Sequence, residues 1–118
     1  LGVSANVEKI MAIKRIWHGW TTPKNADKYR RLLHDVVFPG IEAKNIPGYL
    51  GIELLRRDHD DEVEFITIMT FQSLQNVIDF QGEDYTQCYV PKEAQAVLKR
   101  WDQFSSHYEA VESRHYES

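Results

Sequence analysis

The stretch from residue 49 to residue 71, YLGIELLRRDHDDEVEFITIMTF, decides the fold. Two of its segments, 49–57 and 62–71, are rich in β-branched and aromatic residues, and they flank a polar loop with the sequence DHDD. Alternation of side chains with a period of two is typical of strands, and a short polar connection is typical of a hairpin. The stretch therefore predicts two antiparallel strands, of which 62–71 has the denser pattern.

A strand followed by a helix is predicted upstream of this hairpin. Residues 12–20, AIKRIWHGW, carry the strand pattern and end at a turn signal that includes Pro23. One helical face then follows from residues spaced at i, i+3, i+4, i+7 and i+8, namely Tyr29, Leu32, Leu33, Val36 and Val37. Since proline removes a backbone donor, we expect this helix to end or kink near Phe38.

Downstream of the hairpin the pattern predicts two more helices and a last strand. Ser73 offers an N-cap and Gly82 a C-terminal stop for a short helix. Pro91 opens another helix, whose apolar positions extend to Trp101, and residues 105–112 form the strand.

The resulting element order, β-α-β-β-α-β, predicts an α+β fold. It corresponds to the ferredoxin-like arrangement, one antiparallel four-stranded sheet with helices on one face. We expect a single domain over residues 11–112, an upstream extension or cloning remnant at 1–10, and a polar tail at 113–118.

The strand at 62–71 also predicts an assembly, because it is apolar on both faces. Phe65 and Met69 lie on one face, and Ile66 and Ile68 lie on the other. Helices on one side cover only one face of a sheet, and soluble monomers rarely expose a large apolar patch. We therefore expect a homodimer with sheet packed against sheet; the alternative is a twisted monomeric sheet with scattered exposed apolar residues.

Composition excludes several classes of protein. The chain of 118 residues has 14 Lys and Arg against 18 Asp and Glu, so its net charge of −4 argues against a nucleic-acid partner. No apolar run is long enough to span a membrane, and the first residues do not resemble a secretory signal. The single cysteine, Cys88, forms no internal disulfide and belongs to no metal-binding motif. A cytoplasmic protein is expected.

Four short segments carry a family resemblance. They are Trp17-His18-Gly19, Leu55-Arg56-Arg57, the run FQGED at 80–84, and His107-Tyr108-Glu109, and they occur in this order along the chain. In order and spacing the chain resembles the antibiotic biosynthesis monooxygenase family of the dimeric α+β barrel superfamily.

The resemblance implies a dimer with a ligand cavity in each subunit, between sheet and helices. It further implies oxygenation of small phenolic or polycyclic aromatic molecules without metal or flavin. Because one fold serves many activities, two alternatives stay open: a non-catalytic small-molecule-binding or regulatory dimer, and a cofactor-free isomerase or lyase.

Two histidines are candidate bases for such chemistry. His107 titrates near neutrality, and Glu109, two residues on along the same strand, could orient it or raise its pKa. His18 ends the first strand beside Gly19, where a ligand could approach the backbone. The alternative for each is a structural role, a half-buried histidine bonded to backbone or a strand-end packing residue.

Aromatic and arginine side chains are candidates for substrate binding. Trp17, Tyr85 and Tyr89 could stack on a planar ring, although such residues also fill cores and interfaces. Arg56 could bind an anionic group through its guanidinium; the alternative is a charged strand end facing water. The sequence contains no metal-binding motif and no glycine-rich phosphate loop, so no cofactor is predicted.

Overall fold

An antiparallel sheet with helices on one face makes up the fold in the computed structural model, which describes residues 12–117. The strands are β1 (Ile13–Thr21), β2 (Tyr49–Asp58), β3 (Val63–Phe71), β4 (Arg100–Trp101) and β5 (Ser106–Glu109). The helices are α1 (Ala26–Leu32), α2 (Phe38–Glu42), α3 (Leu74–Gln81) and α4 (Lys92–Gln95). The predicted extension at 1–10, the first residue of the predicted domain and residue 118 lie outside the described residues.

The sheet has the ferredoxin-like order. β3 pairs with β2 on one side and with β1 on the other, and the far edge of β1 pairs with both β4 and β5. All of these pairs are antiparallel. The predicted α+β architecture is therefore confirmed, with two short strands in place of the single last strand predicted at 105–112.

The predicted helix from Pro91 to Trp101 is shorter in the structure. It ends at Gln95, and Trp101 lies instead in β4, opposite Gly19 of β1. The backbone N–H of Lys99 donates to the carbonyl oxygen of Trp20 at 2.6 Å. The free edge of β1 offers backbone N–H and C=O groups, and pairing with β4 satisfies them. A longer helix would leave these groups unpaired, which explains why the helix ends early.

The first helical segment changes from α-helical to π-helical geometry near the point where the sequence predicted an end or a kink. Between α1 and α2 the chain makes a π-helical turn over Leu33–Val37, in which the N–H of Phe38 donates to the carbonyl of Leu33. Pro39 has no N–H to donate, and the wider turn accommodates its ring without ending the helix. Helical structure therefore continues to Glu42.

The predicted caps of α3 are present. The N–H of Asn76 donates to the Ser73 side chain, and Gly82 ends the helix with a φ of 99°. That backbone conformation favours glycine, because a Cβ would strain it.

Alternation along the strands gives the sheet two distinct faces. The inner face, which the helices cover, buries Phe65, Met69 and Phe71. The outer face carries the intervening residues of β3, Ile66 and Ile68, which are only half-buried. Within the described residues no helix lies across this outer face, as the two-faced pattern of β3 predicted.

Candidate active site

A cavity of about 150 Å³ lies between the inner face of the sheet and the helices. Its walls come from β1, β2 and β3, from the helical segment around the π-turn, from α4, and from the loop between α3 and α4. Most of the lining side chains are apolar or aromatic, and they include Trp17, Leu33, Val37, Phe38, Ile52, Met69, Phe80 and Ala94. The position of this cavity is the one that the family resemblance implied.

Trp17 forms a fixed part of the wall. Its indole N–H donates to the backbone carbonyl of Asp102 at 2.8 Å. Gly19 lies directly beneath the ring, and a Cβ at that position would lie 2.9 Å from Trp17 Cη2 and 3.1 Å from Leu98 Cδ2. Only a residue without a side chain lets the indole pack this close to the strand.

Arg15 brings a positive charge to this apolar cavity. It occupies an inner-face position of β1, and only 6% of its surface is exposed. One terminal nitrogen, Nη1, donates to the carbonyl of Tyr85 at 2.5 Å and to Nε2 of His107 at 2.9 Å. The other, Nη2, donates to the carbonyl of Gln87 at 3.1 Å. The guanidinium is thus held by neutral acceptors.

His107 is held by Arg15 rather than by a carboxylate. Since a guanidinium has no acceptor atom, Nε2 of His107 must accept this hydrogen bond, and the ring is neutral with its proton on Nδ1. Burial, together with the positive charge of Arg15, lowers the pKa of His107. Glu109, which could have oriented His107 or raised its pKa, is exposed and forms no ion pair with it among the described residues.

The remaining polar groups of the cavity wall are uncharged. The Cys88 thiol lies 2.9 Å from the Ser105 hydroxyl, and burial raises the pKa of the thiol. Burial also raises the pKa of Tyr29, so its phenol stays protonated at neutral pH. No carboxylate among residues 12–117 forms an ion pair with Arg15. Arg15 is therefore the one charged group that we find in the wall of this cavity.

His18, the second candidate base, lies on the outer face of the sheet and is not part of the cavity wall. Strand alternation places it opposite Ile66, and its ring stacks on Trp20 at 5.8 Å between centroids. Nδ1 of His18 donates to a carboxylate oxygen of Asp102 at 3.0 Å, and Glu64 lies 3.8 Å from Nε2. The sheet itself separates His18 from the cavity.

The other predicted ligand-binding residues have different positions. Tyr89 lines the cavity mouth but is 80% exposed. Tyr85 packs edge-on against His107 at 5.1 Å between centroids, behind Arg15. Arg56 lies at the end of β2, where it pairs with Asp58 at 2.7 Å and Asp27 at 3.6 Å. This position agrees with the alternative of a charged strand end that faces water. Of the predicted set, Trp17 and Tyr89 reach the cavity.

Arg15 is not among the site residues predicted from the sequence. Its signal is a charged residue that shares a strand face with Ile13 and Trp17. In the segment AIKRIWHGW, however, both faces carry apolar residues, so the pattern does not reveal which face is buried.

Neither a metal cluster nor a membrane span is evident in the part of the chain that the structure describes. No group of three or more His, Cys, Asp or Glu side chains is arranged to hold a metal ion within residues 12–117. None of the helices over the same residues is long and apolar enough to cross a bilayer.

Comparison with known proteins gives the fold. No protein-family model matches the sequence, and no curated protein matches it. A structure of a candidate antibiotic biosynthesis monooxygenase from Bacillus cereus aligns over 90% of this chain and 99% of its own, with 8% identity and a TM-score of 0.54. A monooxygenase from the gene ActVA-Orf6 of Streptomyces coelicolor, in complex with the ligand nanaomycin D, aligns over 96% of each chain, with 14% identity and a TM-score of 0.52. The chain thus shares its α+β fold with these two monooxygenase structures.

Proposed function

We propose that the protein is a cofactor-independent monooxygenase that oxidises a small phenolic molecule inside this cavity. The observation that carries the proposal is an apolar, aromatic-walled cavity in which Arg15 is the one buried cation among the described lining residues. Aromatic walls favour a planar ring, and one charged group gives it an orientation. The shared fold with monooxygenase structures supports the same reaction class.

The volume of the cavity favours a substrate of one or two rings. An apolar cavity of about 150 Å³ is known to hold benzene in another protein, and the cavity here has a volume of about 150 Å³. A simple phenol, hydroquinone or naphthol therefore fits better than the polycyclic aromatics that the family resemblance also allowed.

The proposed reaction needs no external reductant. The phenol loses its proton, and a ring carbon of the phenolate then bonds to dioxygen. The resulting hydroperoxide loses the hydrogen of that carbon and breaks its O–O bond, which leaves a C=O group and releases water. Phenol and O₂ thus give a quinone and H₂O, and the substrate supplies all four electrons. The apolar wall would keep water away from the reactive anion.

We also propose that two copies pack through their outer faces, in the cytoplasm. The support is the row of half-buried apolar side chains on that face, which includes Ile16, Ile66 and Ile68. Covering them removes apolar surface from water, and a two-fold dimer is the commonest way to do so.

A matched pair of substitutions, one in α4 and one at the residue that follows it, tests the site. Ala94 lines the cavity and is 3% exposed, whereas Ala96, two residues later, is exposed. Ala94→Met should fill the cavity and abolish both binding of 1-naphthol and oxygen uptake with it, while Ala96→Met should leave both unchanged. Equal uptake in the two variants would contradict the proposed site. Binding without oxygen uptake in the unmodified protein would indicate the non-catalytic alternative.

A further inference from the structure

We infer that Arg15 selects the substrate as its phenolate anion, so that the positive charge of the protein, rather than proton transfer to a histidine, ionises the phenol. This inference rests on the proposed function and deepens it. It makes acidic phenols the substrate class and Arg15 the residue that determines specificity.

The guanidinium of Arg15 has donors to spare. Its five N–H groups make three contacts with described residues, to Tyr85, His107 and Gln87. The N–H of Nε and one N–H of Nη2 remain, and these two nitrogens lie on one edge of the planar group. Such an edge matches a negatively charged oxygen well.

Within residues 12–117 no carboxylate forms an ion pair with Arg15. The titratable side chains that contact it or share its cavity wall include His107, Cys88 and Tyr29, and in the folded protein these three are uncharged near neutral pH. The carbonyl groups of Tyr85 and Gln87 supply only dipoles. An isolated buried cation is costly, and an anionic ligand that pairs with it recovers much of that cost.

Neither candidate histidine is placed to remove the phenolic proton directly. The lone pair of Nε2 in His107 already accepts the hydrogen bond from Arg15, and His18 lies on the other face of the sheet. An opposite charge within about 4–6 Å lowers the pKa of an acid by roughly 1–3. A simple phenol, whose pKa is about 10, would therefore ionise at about pH 7–9, and a more acidic phenol near neutral pH, with the proton passing to water. His107 would act as a positioning residue that holds Arg15.

Spectrophotometric titration of bound 4-nitrophenol tests this inference without any turnover. The phenolate of this probe is yellow and the phenol is colourless, so the absorbance reports its ionisation directly. On the unmodified protein we expect the bound probe to stay yellow at a pH where the free probe has lost its colour, with the midpoint lowered by about 1 pH unit or more. In Arg15→Met this displacement should vanish.

Binding of 4-nitroanisole, the methyl ether of the probe, keeps the test decisive if Arg15→Met does not fold. The unmodified protein should prefer 4-nitrophenol over this non-ionising analogue about tenfold or more at neutral pH. Equal binding of the two compounds with no change of midpoint would overturn the inference while leaving the cavity and the proposed function intact. Failure to bind either compound would overturn both.

Discussion

Replacing Gly19 by alanine tests how tightly the cavity wall is built. The new Cβ would lie 2.9 Å from Trp17 Cη2, 3.0 Å from Cζ3 and 3.1 Å from Leu98 Cδ2, whereas carbon atoms in ordinary contact lie about 3.5–4.0 Å apart. Trp17 has little freedom to move, because its indole is bonded to the backbone of Asp102. Overpacking of this kind costs about 1–3 kcal/mol.

Part of this cost is offset in the unfolded chain. Replacing glycine by alanine restricts the unfolded state and contributes about 0.4–1 kcal/mol in favour of folding. We therefore expect Gly19→Ala to lower the free energy of unfolding by about 1–2 kcal/mol. With a urea dependence of about 2 kcal/mol per molar, the midpoint of urea denaturation should fall by about 0.5–1 M.

Gly51→Ala is the matched control for this prediction. Gly51 also lies in a strand, and no heavy atom lies within 4 Å of where its Cβ would be. The urea midpoint of Gly51→Ala should therefore equal that of the unmodified protein or rise slightly. The penalty of Gly19→Ala should shrink in a Trp17→Phe background, which removes the closest contact. Equal midpoints for the two alanine variants would refute the reasoning.

Three further predictions concern the outer face, His107 and a helix cap. Ile66→Lys should dissociate or unfold the dimer, because it would bury an unpaired charge, whereas Val36→Lys on an exposed helical surface should not. Sedimentation measures the mass of each protein, and a monomeric unmodified protein would contradict the dimer. The pKa of His107 is lower in the folded state than in the unfolded chain, so the unfolded chain binds a proton first as the pH falls. The free energy of unfolding should therefore decrease as the pH drops from about 6.5 towards the pKa of His107 in the folded state. This decrease should be smaller in His107→Gln. Urea midpoints at neutral and mildly acidic pH measure this, and equal slopes in both proteins would contradict it. Ser73→Ala should cost about 1 kcal/mol, since it removes the N-cap of α3, and an unchanged urea midpoint would argue against that cap.

Local patterns predicted most of the fold. The alternation at 49–57 and 62–71, the helical spacing from Tyr29 and the caps around α3 are all local signals, and the structure has each of these elements. The end of the chain was harder to predict, because Trp101 fits a helical pattern locally. Its place in β4 depends on pairing with Gly19, about eighty residues earlier in the chain, and no local pattern contains that contact.

The candidate site was less predictable than the fold. The family resemblance implied the cavity, and Trp17 was a candidate for its wall, but the candidate base His18 lies on the other face of the sheet. Shifting a strand pattern by one residue exchanges its faces, and in β1 the two faces look alike in sequence. For the same reason, the strand pattern does not show that Arg15 is buried in the cavity wall. The partnership between Arg15 and His107 depends on the pairing of β1 with β5, which only the folded chain brings together.

Labelling with ¹⁸O₂ tests the central claim most directly. The protein would be incubated with 1-naphthol under ¹⁸O₂, and the oxygen consumed would be compared with the quinone formed by mass spectrometry. The proposed monooxygenation predicts one quinone for each O₂ consumed, with one ¹⁸O atom in the new carbonyl and the other in water. Naphthol that binds in the cavity but returns unchanged, with no oxygen consumed, would contradict the claim.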